Sequence, residues 1–152
     1  METAGHRPFA YTKEHPSMRA LACIAITLTF SIAATLAQAG CLRCESILNV
    51  IDAPVIAPAG KPLSVDQIKA SILRAGAALG WQIREEAPGK LVGTLILRSH
   101  TAVVDIPYSA TSYSIQYKSS IDLNEGDGQI HKNYNGWIRN LNKGINAQLL
   151  LS

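Results

Sequence analysis

The tightest constraint in this sequence is a period-two pattern over residues 81–118 that stays in step across three turns. Side chains on a strand alternate between faces, so a one-residue slip inverts every face, and one apolar face kept through several hairpins is a demanding condition. Turns are expected at Ala87, Pro88 and Gly89, at Ser99 and His100, and at Ser109 and Ala110, where breakers or small polar residues interrupt the apolar runs. Pairing across the first sets Ile83 opposite Gly93 and Trp81 opposite Leu95. Pairing across the second sets Leu97 opposite Ala102, Leu95 opposite Val104, Gly93 opposite Ile106 and Leu91 opposite Tyr108. The third sets Ile106 opposite Tyr113, Val104 opposite Ile115 and Ala102 opposite Tyr117. All of these fall on one face, which predicts a four-stranded antiparallel meander with a single apolar side. Gly93, with no side chain, leaves room between Ile83 and Ile106.

The other face carries Thr94, Arg98, Thr101, Asp105, Ser112, Ser114, Gln116 and Lys118. It also carries Val92, Ile96 and Val103, with Val103 expected opposite Ile96. An apolar stripe on a face that should be wet marks a candidate partner surface, unless an N-terminal strand or the linker covers it.

A one-faced sheet needs helices, and both flanks supply one. Ser64 with Gln67 forms a capping-box pattern, and Val65, Ile68, Ile72, Ala75 and Leu79 recur at helical spacing before Gly80 ends the run. Residues 131–151 hold a second stripe, Tyr134, Trp137, Ile138, Leu141, Ile145 and Leu149, with Asn133 as the expected N-cap. Gly136 and Gly144 each cost such a helix about 1 kcal/mol relative to alanine, so it depends on docking, expected against Tyr108, Tyr113 and Tyr117. The same neighbourhood outlines a candidate ligand pocket, lined by Tyr108, Tyr117, Tyr134 and Trp137 with His131 and Asn135 at the rim, although an aromatic stripe also reads as ordinary core. The predicted class is α+β, α-β-β-β-β-α, both helices on one face, with a candidate short leading strand at residues 47–51.

Upstream, residues 1–40 read as targeting. Residues 1–17 are polar with no apolar period and are expected to be either a long n-region or an untranslated stretch ahead of a true start at Met18, since Met18 and Arg19 precede an uncharged run from Ala20 to Ala39. Such a run also approaches the length of a membrane-spanning helix. Gln38, Ala39, Gly40 and Cys41 resemble a bacterial lipobox, which makes Cys41 the lipidation site and the membrane a partner through its acyl chains; Gln38 departs from the aliphatic residue of that pattern, and Leu42 after the cysteine resembles outer-membrane sorting. Ala37, Gln38 and Ala39 equally form an A-x-A site that would release a soluble periplasmic protein. Cys41 and Cys44 can instead close a local disulfide. Their context fits neither a thioredoxin-type site, which needs a helix starting at the motif, nor zinc, which needs a second ligand pair. Residues 41–62 are expected to be a tether rich in proline, glycine and alanine, and residues 63–152 the globular domain.

With 47% apolar residues and a net charge of +3, the chain has one modest core and no clustered basic face, so nucleic acid is not implied. The histidines past the targeting segment are His100 and His131, with Asp105 and Asp127 as conceivable partners, and no nucleophile elbow, zinc-helix motif or phosphate loop accompanies them. No catalytic residue, cofactor or metal is therefore assigned. Residues 122–128 invite a calcium reading, but Gly126 and Asp127 stand at the fifth and sixth positions, where an EF-hand loop needs a ligand and a glycine.

Gly80 and Trp81; Glu86, Ala87, Pro88 and Gly89; Ala102 to Ile106 with Tyr113 to Tyr117; and Ile130 to Asn135 with Trp137, Asn140 and Leu141 together resemble a family of small bacterial envelope proteins that typically begin with a lipoprotein signal. The resemblance implies an address in the cell envelope and carries no activity. The reading is thus a non-enzymatic, lipid-anchored periplasmic domain that binds an unidentified envelope protein, with a small-ligand module as the alternative.

Overall fold

In a computed structural model, residues 41–58 and 61–152 are described. The expected targeting segment, residues 1–40, lies outside the described residues. Among the described residues no helix is long and apolar enough to cross a membrane.

The helices form where the sequence signals place them. In α1 (Val65–Ala78) the capping box is complete: the Gln67 N–H donates to Ser64 Oγ at 3.2 Å, and the Ser64 N–H donates to Gln67 Oε1 at 2.9 Å. Two residues past its end Gly80 takes a φ of +80°, the left-handed conformation a glycine adopts without strain. The second helix, α2 (Lys132–Leu150), starts two residues earlier than expected. Its N-cap is His131, whose Nδ1 accepts the Asn133 N–H at 3.3 Å, so Asn133 is inside the helix.

The meander is present, as β3 (Gln82–Ala87), β4 (Lys90–Leu97), β5 (His100–Pro107) and β6 (Ser112–Ile121), and it belongs to a five-stranded antiparallel sheet. The fifth member, β2 (Val50–Pro54), pairs with β6, giving the order β2-β6-β5-β4-β3. A separate two-stranded ribbon joins β1 (Cys44–Ser46) to β7 (Gln129–His131). Residues 44–54 are therefore woven into the domain rather than tethering it, and the leading strand falls at 50–54 instead of 47–51.

The first register is as expected, with Ile83 opposite Gly93. The other two slide by two residues. Arg98 adopts a φ of +57° and makes Arg98 and Ser99 the turn, so Leu97 meets His100, Leu95 meets Ala102, Gly93 meets Val104 and Leu91 meets Ile106. At the third turn Tyr108 meets Tyr113, and Val104 meets Tyr117 rather than Ile115. A slide of two keeps every side chain on its face, so Leu95 and Val104 still share the core side.

Both helices lie on that side and pack on each other there. Ile68, Ile72 and Ala75 of α1 and Tyr134, Ile138, Leu141, Ile145 and Leu149 of α2 join Leu91, Leu95, Val104, Ile106, Tyr113 and Ile115 in one buried cluster. Tyr113 is anchored through its hydroxyl, which contacts Asn142 Oδ1 at 2.7 Å and Asn146 Oδ1 at 2.9 Å; burial pushes its pKa up to about 12.

The glycines test this packing. A Cβ at Gly136 meets nothing within 4 Å, whereas one at Gly76 in α1 would drive into the Ile83 side chain, with Cγ1 at 2.8 Å. Gly136→Ala is expected to raise stability by about 1 kcal/mol, the ordinary helix gain. Gly76→Ala should reverse that sign and lose about 1–3 kcal/mol through overpacking. Urea unfolding of the two variants beside the parent checks both.

Candidate functional site

Two regions draw chemically distinct side chains together. The first is the sheet face that neither helix covers. Register places Lys90, Val92, Thr94 and Ile96 of β4 on it, with Thr101, Val103 and Asp105 of β5. On β6 a bulge intervenes: Tyr117 stands opposite Val104 and Ser119 opposite Val103, with Lys118 the extra residue. That extra residue moves Ile121 from the core side to the outer side, directly opposite Thr101, which itself faces Ile96. The outer face thus ends in a row Ile96, Thr101, Ile121, in which Ile96 is 57% exposed and Ile121 60%.

The stripe expected from sequence is accordingly rearranged. Val103 faces Thr94, not Ile96, and is half-buried. Val92, between Arg84 and Asp105 in the register, is 1% exposed and unavailable to a partner. Ile121 takes its place, and only the bulge reveals it.

The opposite end of the same face is charged. Lys90 Nζ lies 2.7 Å from Glu86 and 3.3 Å from Asp105, and Lys118 Nζ lies 2.9 Å from Glu86 and 3.0 Å from Asp105. The four alternate in sign around a closed ring, so each carboxylate is shared by two ammonium groups. Hydrogen bonds from Lys118 and then Lys90 hold the Glu86 carboxyl down to about 2, and Glu86 and Asp105 raise both lysines above their usual range. Asp105, expected as an exposed carboxylate beside Thr94 and Ser114, is instead a member of this ring.

The second region is the N-terminal corner. Cys41 and Cys44 are joined as a disulfide closing a four-residue loop. The Cys44 N–H donates to Cys41 O at 3.0 Å, and the Lys132 N–H donates to Arg43 O at 2.8 Å, seating the loop against the first turn of α2. Cys44 stands directly opposite His131 across the β1–β7 pair. The His131 ring stacks on His100 with centroids 6.4 Å apart, and His100 Nδ1 sits 2.7 Å from Asp122 O, the geometry of an N–H donating to that carbonyl. An open cleft of about 380 Å³ lies alongside, lined by Cys41, Leu42, Arg43, Asn124 and His131. Sequence reading treated the histidines separately and found no helix near the cysteines; the pairing of β1 with β7 brings all of these together.

The expected ligand pocket does not form as a unit. Between α2 and the sheet, Tyr113, Tyr134, Ile138 and Leu141 are fully buried and fill the space. Tyr117 meets Tyr134 edge to face at 5.6 Å, and Trp137 packs against the core half-buried. Asn135 is buried and saturated: its Oδ1 accepts the Leu48 N–H at 2.9 Å, and its Nδ2 donates to Ser46 O at 2.9 Å and Glu45 Oε2 at 3.2 Å. Tyr108 lines a different cleft, of about 270 Å³, with Asp52, Ser112 and Gln116. Residues 122–128 form a tight loop that buries Leu123, and among the described residues no three His, Cys, Asp or Glu side chains converge to hold a metal.

No family model matches the chain, and neither a curated protein nor a solved structure matches it.

Two measurements follow from these geometries. The Glu86 carboxyl titrates near 2 folded and near 4.5 unfolded, so its stabilising contribution is complete above about 4.5 and is lost as pH falls towards about 2. Glu86→Gln should therefore flatten the melting temperature against pH across that window and leave its shape unchanged at neutral pH. Among the described residues the Tyr134 hydroxyl is buried without a partner, which costs about 1–3 kcal/mol relative to a satisfied group, so Tyr134→Phe is expected to hold or raise stability in chemical denaturation.

Proposed function

We propose that this chain is a non-enzymatic domain exported to the cell envelope, where it docks another envelope component through the uncovered face of its five-stranded sheet. The observation that carries the docking reading is the exposed row of Ile96, Thr101 and Ile121 on a sheet whose helices both lie on the other side. Two exposed isoleucines, on β4 and β6 with Thr101 of β5 between them, offer apolar area that no element among the described residues covers, and the ring of Glu86, Lys90, Asp105 and Lys118 at the far end limits the surface to one end of the face. The ring is charge-balanced, so it gives a partner little reason to bind by net charge.

Export is supported by the uncharged run of residues 20–39 with its small-residue exit, by the resemblance to envelope proteins, and by the Cys41–Cys44 disulfide, which suits an oxidising compartment. The same disulfide occupies the Cys41 sulfur that a diacylglyceryl thioether would need. We therefore favour cleavage ahead of Gly40 and a soluble periplasmic domain over the acyl anchor that the lipobox resemblance implies. Intact mass of the exported protein separates the two. An unmodified chain beginning at Gly40, lighter by two hydrogens than its reduced form, is expected; an acylated chain beginning at Cys41 would replace this proposal with the anchored one.

Docking is tested by a photo-crosslinking amino acid placed at Ile96 in cells. Crosslinks to an envelope component are expected there and not from the same probe at Arg139 on the exposed side of α2. Ile96→Lys with Ile121→Lys should abolish docking while changing stability by no more than about 0.5 kcal/mol per site, as for other exposed positions. Equal crosslinking from both probe sites would count against the sheet face.

A further inference from the structure

The Cys41–Cys44 loop carries more than a structural staple would require. We propose that it is an exchangeable disulfide, in which a partner dithiol attacks Cys41 and Cys44 departs as the thiolate.

The two sulfurs are in different surroundings. Cys41 lines the open cleft of about 380 Å³ beside Leu42 and Asn124, so an incoming sulfur can reach it. Cys44 is held by the ribbon, opposite His131, at the point where Arg43 O accepts the Lys132 N–H of the first turn of α2. A helix of nineteen residues presents the positive end of its dipole there. His131 uses Nδ1 to accept the Asn133 N–H, which leaves its ring proton on Nε2, and the residue stands directly opposite Cys44 across the ribbon. Arg43 within the loop and Lys132 at its border add positive charge. These groups favour a thiolate at Cys44 and outweigh the Asn124 carbonyl oxygen 3.7 Å from its sulfur, and a better leaving group speeds exchange.

The step balances without further reagents. A thiolate of the partner dithiol attacks Cys41 Sγ, a new S–S bond forms, and the Cys41–Cys44 bond breaks with its electron pair on Cys44 Sγ, which is stabilised there and takes a proton from solvent. The partner's second thiol then attacks its own sulfur in the mixed disulfide and releases Cys41 as a thiolate that is protonated in turn. The partner leaves as a disulfide, and this chain holds two thiols. In thioredoxin-type sites a helix begins at the motif itself; here α2 arrives from the other end of the chain, delivered by β7, and the cysteines precede a strand. This inference is independent of the sheet-face reading.

Reduction of the oxidised full chain by dithiothreitol under native conditions, followed by alkylation and mass, tests it. The folded parent should be reduced completely, and His131→Asn, which keeps an N-capping side chain, should react about fivefold more slowly, the scale of a lost helix-terminus or hydrogen-bond contribution. A variant that was merely destabilised would be reduced faster, so the direction separates the two causes. Offered oxidised glutathione, the Cys44→Ser variant should form the mixed disulfide at Cys41, with one glutathione thiolate leaving, faster than the Cys41→Ser variant forms it at the less accessible Cys44. A native disulfide that yields only after unfolding, a His131→Asn rate equal to the parent's, or trapping in the reverse order would overturn the proposal.

Discussion

The side-chain amide of Asn135 joins the two ends of the domain. Its three hydrogen bonds reach Leu48, Ser46 and Glu45, all in the segment ahead of the sheet, from the first turn of the last helix. A buried amide is expensive unless its donors and acceptor are met, and here they are met only by backbone and side-chain groups of that segment. The arrangement is mutual. Without residues 45–48 the amide would be buried and unpaired, and without the amide the ribbon of β1 and β7 would lose its attachment to α2. The corner holding Cys41, Cys44 and His131 exists because this attachment fixes β1 beside the start of the helix.

Packing on the other side of the molecule follows a similar logic. The core asks for one apolar sheet face, and both helices cover that face together, which leaves the second face to water. On that second face a single inserted residue, Lys118, does two things. It carries its ammonium group to Glu86 and Asp105, closing the ring, and it turns the end of β6 over so that Ile121 emerges beside Thr101. Charge satisfaction and apolar exposure on this face thus trace to the same bulge.

The parts of the fold visible in the sequence were those governed by periodicity and capping. Residues alternating through β4 and β5 share the expected faces, and Ser64 with Gln67 starts α1 as the pattern implies. The register of β4 with β5 slid by two because Arg98 and Ser99 contain no glycine or asparagine to announce a turn, and a slide of two costs nothing in facial pattern. The bulge at Lys118 had no local signal, so Ile121 could not be placed. Proline and alanine around residues 53–58 suggested a linker, but Val50 and Ala53 fit an edge beside Ile115 and Tyr113, a non-local preference invisible from composition. Tyr134 and Asn135 were expected as wall and rim of a ligand pocket, and both are buried. Their role is structural, because the aromatic side chains there fill the space a ligand would need. The candidate corner was illegible for another reason: its cysteines and histidines come from strands far apart in the chain, which no spacing rule connects.

Whether residues 44–54 belong to the fold is the claim on which the corner, the disulfide chemistry and the absence of a tether all stand. Hydrogen exchange of the native protein, resolved to peptides covering residues 44–55 and compared with Asn135→Ala, measures it directly. Protection of these amides in the parent, approaching that of β5 and β6 at Ala53 and Val55 and falling selectively around Leu48 in the variant, is the predicted result. Exchange of the whole segment at unprotected rates in the parent, with β3 to β6 still protected, would contradict it and return residues 41–62 to the role of a tether.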